Sequence, residues 1–308
     1  MDPVFASAIF VFGLLFGSFL NVCIYRLPRG LSVVLPGSAC PRCERAIRLY
    51  DNIPVVSWIV LGGRCRSCKE SISPRYLVVE LLTAAMFLAC YAQFGLTLLA
   101  LKYIVFGFLL LGLIFTDAET KLLPDRMTLP GLLLGLLFSL FVPVNDLAAR
   151  MLPGLISLPV SSSVSWHLLS LADAVLGAVV GASFIYGAGK IYLGVRGAEG
   201  MGFGDVKLMA MIGAFLGLKL TVFVLFSASV AGSIFGVGTV LVVWVKRTRR
   251  RMRRNGDSLS AARKRAWLSA KTVYRHYEMP FGVFLGGMAV VAFFFGNRLL
   301  TWYWGQLQ

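Results

Sequence analysis

Six residues in this chain have the types and spacing that chemistry needs: Asp117, Asp205 and the cysteines Cys40, Cys43, Cys65 and Cys68. Asp117 follows an apolar run at 105–115, and Asp205 ends the turn Gly200-Met201-Gly202-Phe203-Gly204-Asp205 that opens another apolar segment. An acidic residue at the edge of a hydrocarbon layer is costly to keep there, which makes it a functional candidate. Two such carboxylates from different segments, brought together, cannot both ionise. They share a proton, one acting as base toward water and the other as acid, which is aspartyl-protease chemistry. Glycines at 200, 202 and 204 leave space for an extended peptide beside them. A glycine-rich turn with an acidic first residue is equally an ordinary helix cap, and the residues alone leave both readings open. A dinucleotide site is a poor reading of Gly-x-Gly-x-Gly, because no strand precedes it and no βαβ unit surrounds it.

The cysteines form two CxxC pairs separated by 21 residues. Each pair can grip a metal from one tight turn, and two turns supply the four thiolates of a closed tetrahedral zinc site. Arg42, Arg45, Arg64, Arg66 and Lys69 offset the excess negative charge of such a site. Cys23 and Cys90 lie in apolar runs and read as small buried hydrophobes.

Other polar residues carry weaker signals. Glu80, one turn inside an apolar segment, either reaches the interface or a loop arginine, or forms part of a polar active-site wall. Asp125 lies eight residues from Asp117, ~12 Å along a continuous helix, too far for a direct dyad; after Pro124 it reads as an N-cap. Lys207 either anchors its helix at the headgroups or bears on a neighbouring carboxylate. His167 has no second ligand nearby and reads as exposed or interfacial.

The elements that position these groups are membrane spans. With 58% hydrophobic residues and 14% charged ones in 308 residues, the chain is far more apolar than a soluble domain, where roughly 45–50% is usual. Apolar runs at 5–24, 76–93, 96–116, 129–142, 171–193, 206–216, 220–245 and 281–300 give about eight transmembrane helices in an all-α polytopic bundle. With the N-terminus outside, 26 of 30 Lys/Arg fall on the inner side, the bias that orients such proteins. Asp2, and arginines after rather than before the first run, argue against a cleaved signal peptide. Three units follow: a first span at 1–28, a cytoplasmic tetracysteine loop at 29–75, and a membrane-embedded remainder at 76–308. The last includes a basic segment at 246–279, with twelve Lys/Arg, which reads as lipid-adsorbed. No recognition module for nucleic acid accompanies that charge.

Several stretches, in this order, resemble the type IV prepilin peptidases, membrane aspartyl proteases of the GxGD type. They are Ser18-Phe-Leu-Asn-Val-Cys-Ile-Tyr-Arg-Leu-Pro28, the double CxxC, Asp51-Asn-Ile-Pro-Val-Val-Ser-Trp58, Ser73-Pro-Arg-Tyr76 through Thr83, Asp117 to Asp125, Gly200 to Leu208, and Pro280-Phe-Gly-Val-Phe-Leu285. The resemblance implies cleavage of the leader of prepilins or pseudopilins at the cytoplasmic face of the inner membrane. It also implies methylation of the new N-terminus with S-adenosylmethionine. Matched by position, Asp117 and Asp205 are its catalytic aspartates and the four cysteines its zinc ligands; the methyl-transfer residues remain unassigned. Val283 stands where that family usually has proline. The competing expectations are a peptidase without methyl transfer, and a transporter relaying ions through intramembrane carboxylates. The transporter leaves the double CxxC unexplained.

Overall fold

A computed structural model of the chain describes residues 2–142, 165–197, 202–255, 258–275 and 280–305. Among these the protein is helical, with no strand beyond two isolated bridges. Helix α1 (Pro3–Arg26) starts where Asp2 accepts from the Val4 amide at 2.8 Å and Pro3 supplies a first-turn φ. After the cysteine segment, which carries the short helix α2 (Val56–Val60), come α3 (Arg75–Phe94) and α4 (Leu98–Thr120). Gly95 at φ 66° ends α3, and Thr97 caps α4 through the Ala100 amide at 3.2 Å. Helices α5 (Asp125–Ser139), α6 (Ser165–Arg196), α7 (Phe203–Asn255), α8 (Leu259–Arg275) and α9 (Phe281–Val291) follow. A π-helical turn (Ala292–Gly296) leads from α9 into α10 (Asn297–Gly305).

The expectation of about eight spans is not confirmed: among the described residues six helices are long and apolar enough to cross a membrane. The predicted sixth and seventh runs form one element, α7, broken at Gly217 (φ 75°, ψ 176°), a backbone that glycine adopts without a Cβ penalty. The fourth run gives only the 15 residues of α5, fewer than the ~20 a straight crossing takes.

The arms of α7 fold back on each other. A Cβ at Gly177 of α6 would press on the backbones of Gly213 and Gly217, and one turn on Gly181 would meet both Met209 and Thr221. The two arms therefore run antiparallel along α6. From Gly217 to Asp205 is about 18 Å at 1.5 Å per residue. The second arm stays apolar to Val245, well past Gly232, which faces Phe281.

Small residues let the other helices meet. Gly13 and Gly17 of α1, one turn apart, would each place a Cβ 2.6 Å from a backbone Cα of α3, at Ala84 and Glu80; this is the small-residue packing that holds helices together in lipid. The core is aromatic where α4, α5, α7 and α9 converge, with Phe106 stacked on Phe215 at 4.5 Å between ring centres. Lys102 and Asp173, each 1% exposed, oppose their charges inside the bundle. Asp173 also accepts from the Leu218 amide at 3.4 Å, so α6 caps the helix that restarts after the break.

Candidate active site

Asp117 sits in the last turn of α4, where Lys121 in a left-handed conformation (φ 54°) ends the helix and returns its amide to the Asp117 carbonyl at 2.9 Å. The side chain is 4% exposed. Its Oδ2 accepts from the Val283 amide at 3.0 Å. Val283 is in the first turn of α9, whose N-cap, Pro280, offers no side-chain cap, so Asp117 takes up a donor that every helix start leaves free and lies where the helix dipole favours negative charge. A Cβ at Gly282 would lie 2.8 Å from Asp117 Oδ2. Only glycine lets the carboxylate approach this helix end.

Asp205 opens α7, 8% exposed, with its amide donating to Gly202 O at 3.1 Å. Asp117 bears on it electrostatically. Leu123 joins their surroundings: a Cβ at Gly204 would lie 2.9 Å from Leu123 Cβ, and one at Gly282 3.3 Å from Leu123 Cδ1. Beside Gly202 the space is open, with Gly204 N at 3.9 Å and Asp205 Oδ2 at 4.0 Å from an added Cβ. Gly200 and Met201 lie outside the described residues.

Asp125 is not the N-cap. Pro124 holds that position, and Asp125, the first residue of α5, accepts from Lys207 Nζ at 2.6 Å. Proline has no side-chain acceptor, so the carboxylate is free for this cross-helix pair, which ties the starts of α5 and α7 together. Lys207 thus bears on Asp125. His167, half-buried near the start of α6, has its Nδ1 2.5 Å from Leu140 O. Cys23 and Cys90 are buried, as expected.

The four other cysteines converge. Their sulfurs all lie within 4.8 Å of one another, with Cys40 and Cys68 3.8 Å apart. Zinc–sulfur bonds of about 2.3 Å in a tetrahedron put sulfurs roughly 3.8 Å apart, the separation of Cys40 and Cys68, so the set could hold zinc. The two turns share one pattern: Cys40 donates to Arg45 O and Cys65 to Glu70 O, while Glu44 and Lys69, at φ 56° and 59°, return amides to Cys40 O and Cys65 O. The Cys68 and Ser67 amides pull the Cys65 thiol down to about 6, favouring the thiolate a metal needs. Arg66 grips Asp51 with Nη2–Oδ1 2.7 Å and Nε–Oδ2 2.8 Å, holding that carboxyl below its ordinary range.

Arg26 of α1, Glu80 and Arg75 tie this segment to the membrane helices, Arg26 by donating to Ser32 O and Gly37 O. Glu80, 7% exposed, accepts from the Val55 amide at 2.8 Å, not from a loop arginine. Arg75, first in α3, forms an ion pair with Glu119, two residues past Asp117. Sequence reasoning weighed Glu80 but missed the Val283 amide, Leu123, Lys102 with Asp173, and the Arg75–Glu119 tie. Only the glycine in Pro280-Phe281-Gly282 hinted at a close approach.

The comparisons with known proteins agree. Residues 11–94 match the bacterial peptidase A24 N-terminal domain, and residues 104–237 match the type IV leader peptidase family. A prepilin leader peptidase/N-methyltransferase of Aeromonas salmonicida is 31% identical over 328 residues, covering 97% of this chain and 94% of that protein. The protein of the same name from Pseudomonas aeruginosa is 37% identical over 256 residues, covering 76% and 80%. The one from Myxococcus xanthus is 40% identical over 237 residues, covering 76% of this chain and 63% of that longer protein. No solved structure matches.

Proposed function

Because the chain belongs to the type IV leader peptidase family, we propose that it removes the leader of prepilins or pseudopilins and N-methylates the new terminus, with Asp117 and Asp205 as its proteolytic pair. The observation that supports the pairing is that Leu123 lies against both Gly204, beside Asp205, and Gly282, beside Asp117, while the charge of Asp117 bears on Asp205.

In the peptidase step one aspartate, ionised, takes a proton from a water molecule as that water attacks the scissile carbonyl. The other, protonated, donates to the leaving amine. Asp117, fixed by the Val283 amide, has its orientation set before substrate arrives, and pre-set polar groups lower the barrier most. The open space beside Gly202 receives the extended leader backbone, whose junction is of Gly-Phe or Gly-Met type.

The cysteine cluster is the site for a structural zinc ion, because four thiolates taken up as ligands leave no position open for catalysis. S-adenosylmethionine supplies the methyl group when bound. The enzyme is a multi-pass membrane protein, and the excess of Lys/Arg on one side supports a site that faces the cytoplasm from an inner membrane. A transporter is not favoured, since the family's chemistry is proteolytic. The test is leader removal from a co-expressed prepilin, followed by mass spectrometry of intact pilin. Asp117→Asn and Asp205→Asn should each insert normally and leave the leader in place; cleavage by both variants would sink the assignment.

A further inference from the structure

At the end of the bundle opposite the aspartates, the start of α4, the end of α3 and the π-helical turn enclose an open cleft of about 610 Å³, a volume inside the range of roughly 300–1,000 Å³ for small-molecule sites. Its floor is aromatic. Tyr103 lies on α4, about 21 Å along the helix from Asp117. Its ring stacks on Phe293 with 5.0 Å between centres and 11° between planes, and Phe94 of α3 comes within 5.0 Å of it. One wall is the π-helical turn itself (Ala292–Gly296), a rare conformation that recurs at functional sites. Gln93 of α3 donates from Nε2 to Phe294 O at 3.2 Å, which ties this turn to α3 beside the cleft.

The polar groups gather at the mouth, where Gln93, Asn297 and Arg298 line the opening. Arg298 is exposed and forms no ion pair among the described residues. No carboxylate is among the described residues of the lining, so the cleft offers one positive charge and nothing to pair with a second cation. Its surroundings belong to a membrane edge. Helix α10, which begins at Asn297, exposes Trp302 and Tyr303, the residue types that collect at the level of lipid headgroups.

The geometry points to this cleft as the seat of one anionic phospholipid. Its phosphate would take the fork of N–H donors on Arg298, the geometry guanidinium shares with phosphate. The hydroxyl-bearing head would meet the amides of Asn297 and Gln93, and one acyl chain would lie over Phe94, Tyr103 and Phe293. A lone guanidinium complements a head of single negative charge, such as phosphatidylglycerol. The ammonium of a zwitterionic head would find no carboxylate here. A free phosphate would leave the aromatic floor uncovered, and that floor is what selects a lipid.

The test uses the full-length protein in phosphatidylcholine nanodiscs carrying a small fraction of photoactivatable phosphatidylglycerol, with adducts mapped to peptides after irradiation. Label is expected within 93–103 and 293–298. Unlabelled phosphatidylglycerol should compete about tenfold better than phosphatidylethanolamine, and inorganic phosphate at the same concentration should not compete. Arg298→Gln removes the charge and should lower this label about tenfold; Leu98→Trp, at an exposed lining position, should lower it independently by filling the cleft. Label in the basic segment 246–275 should stay unchanged in both variants, which separates a built site from the general attraction of anionic lipid to positive surface. Leader cleavage at the wild-type rate would show both variants folded. Wild-type labelling of the cleft in both variants would overturn the site, as would equal competition by phosphatidylethanolamine. Displacement by inorganic phosphate would make it a phosphate site and overturn the lipid.

Discussion

The amide of Val283 donates to Oδ2 of Asp117 at 3.0 Å, across 166 residues of chain. Proline at this position would remove that one donor and little else, because the first turn of a helix tolerates proline. Val283→Pro should therefore lower kcat for leader cleavage about fivefold, the equivalent of roughly 1 kcal/mol for one hydrogen bond, with KM unchanged. A rise in KM at constant kcat would mean that the amide serves substrate binding instead.

Gly282 is the stricter case. A methyl group there would lie 2.8 Å from Asp117 Oδ2 and 3.3 Å from Leu123 Cδ1, so the carboxylate must move. Displacement of a catalytic group by ~1 Å can cost about a hundredfold in rate, and Gly282→Ala should lose cleavage on that scale while expressing and melting normally. Activity within threefold of wild type would place the reacting carboxylate elsewhere.

Lys207 and Asp125, 24% and 55% exposed at their side chains, hold the ends of α7 and α5 together at 2.6 Å. Partly solvated pairs contribute less than about 1 kcal/mol. Lys207→Met and Asp125→Asn should each lower thermal stability slightly, and the double variant should match either single one. Additive losses would show that the two do not act as a pair.

Inside the membrane the scale changes. Asp173→Ala strands Lys102 without its opposing charge, and breaking a buried pair costs about 3–5 kcal/mol. Lys102→Met combined with Asp173→Leu should restore most of the thermal stability lost by Asp173→Ala. Failure of that rescue would assign the cost to the Leu218 cap rather than to the charges.

Metal removal separates the two halves. Stripping zinc, or Cys40→Ser with Cys65→Ser, should expose 29–74 to trypsin, while the tryptic pattern of the helices persists. Metal analysis should give about one zinc per chain in the wild type, as four ligands for one tetrahedral ion require. A metal-free wild type with a protected loop would refute the zinc assignment.

The apolar runs and the two CxxC turns were legible because each is a local pattern. The helix count was less so: a glycine break such as Gly217 leaves hydropathy almost unchanged, so one bent helix and two spans look alike. Asp125 carried the local sign of a cap, but its partner lay 82 residues away. Lys102 is a single charge at the start of an apolar run, and nothing near it in the sequence announces Asp173. Glu80 was ambiguous for the same reason, its partner being the backbone of a turn 25 residues upstream.

The matching cysteine turns lead to one more consequence. The chain between them, 44–64, includes Asp51, Asn52 and Val55, and Arg66 in the second cysteine turn holds Asp51. A shared ion would pin both ends of that stretch, as a hasp holds a strap, and so reduce the freedom the strap loses on ordering. The metal's influence would then reach Glu80 in α3, which accepts the Val55 amide at a distance from any bond the ion makes.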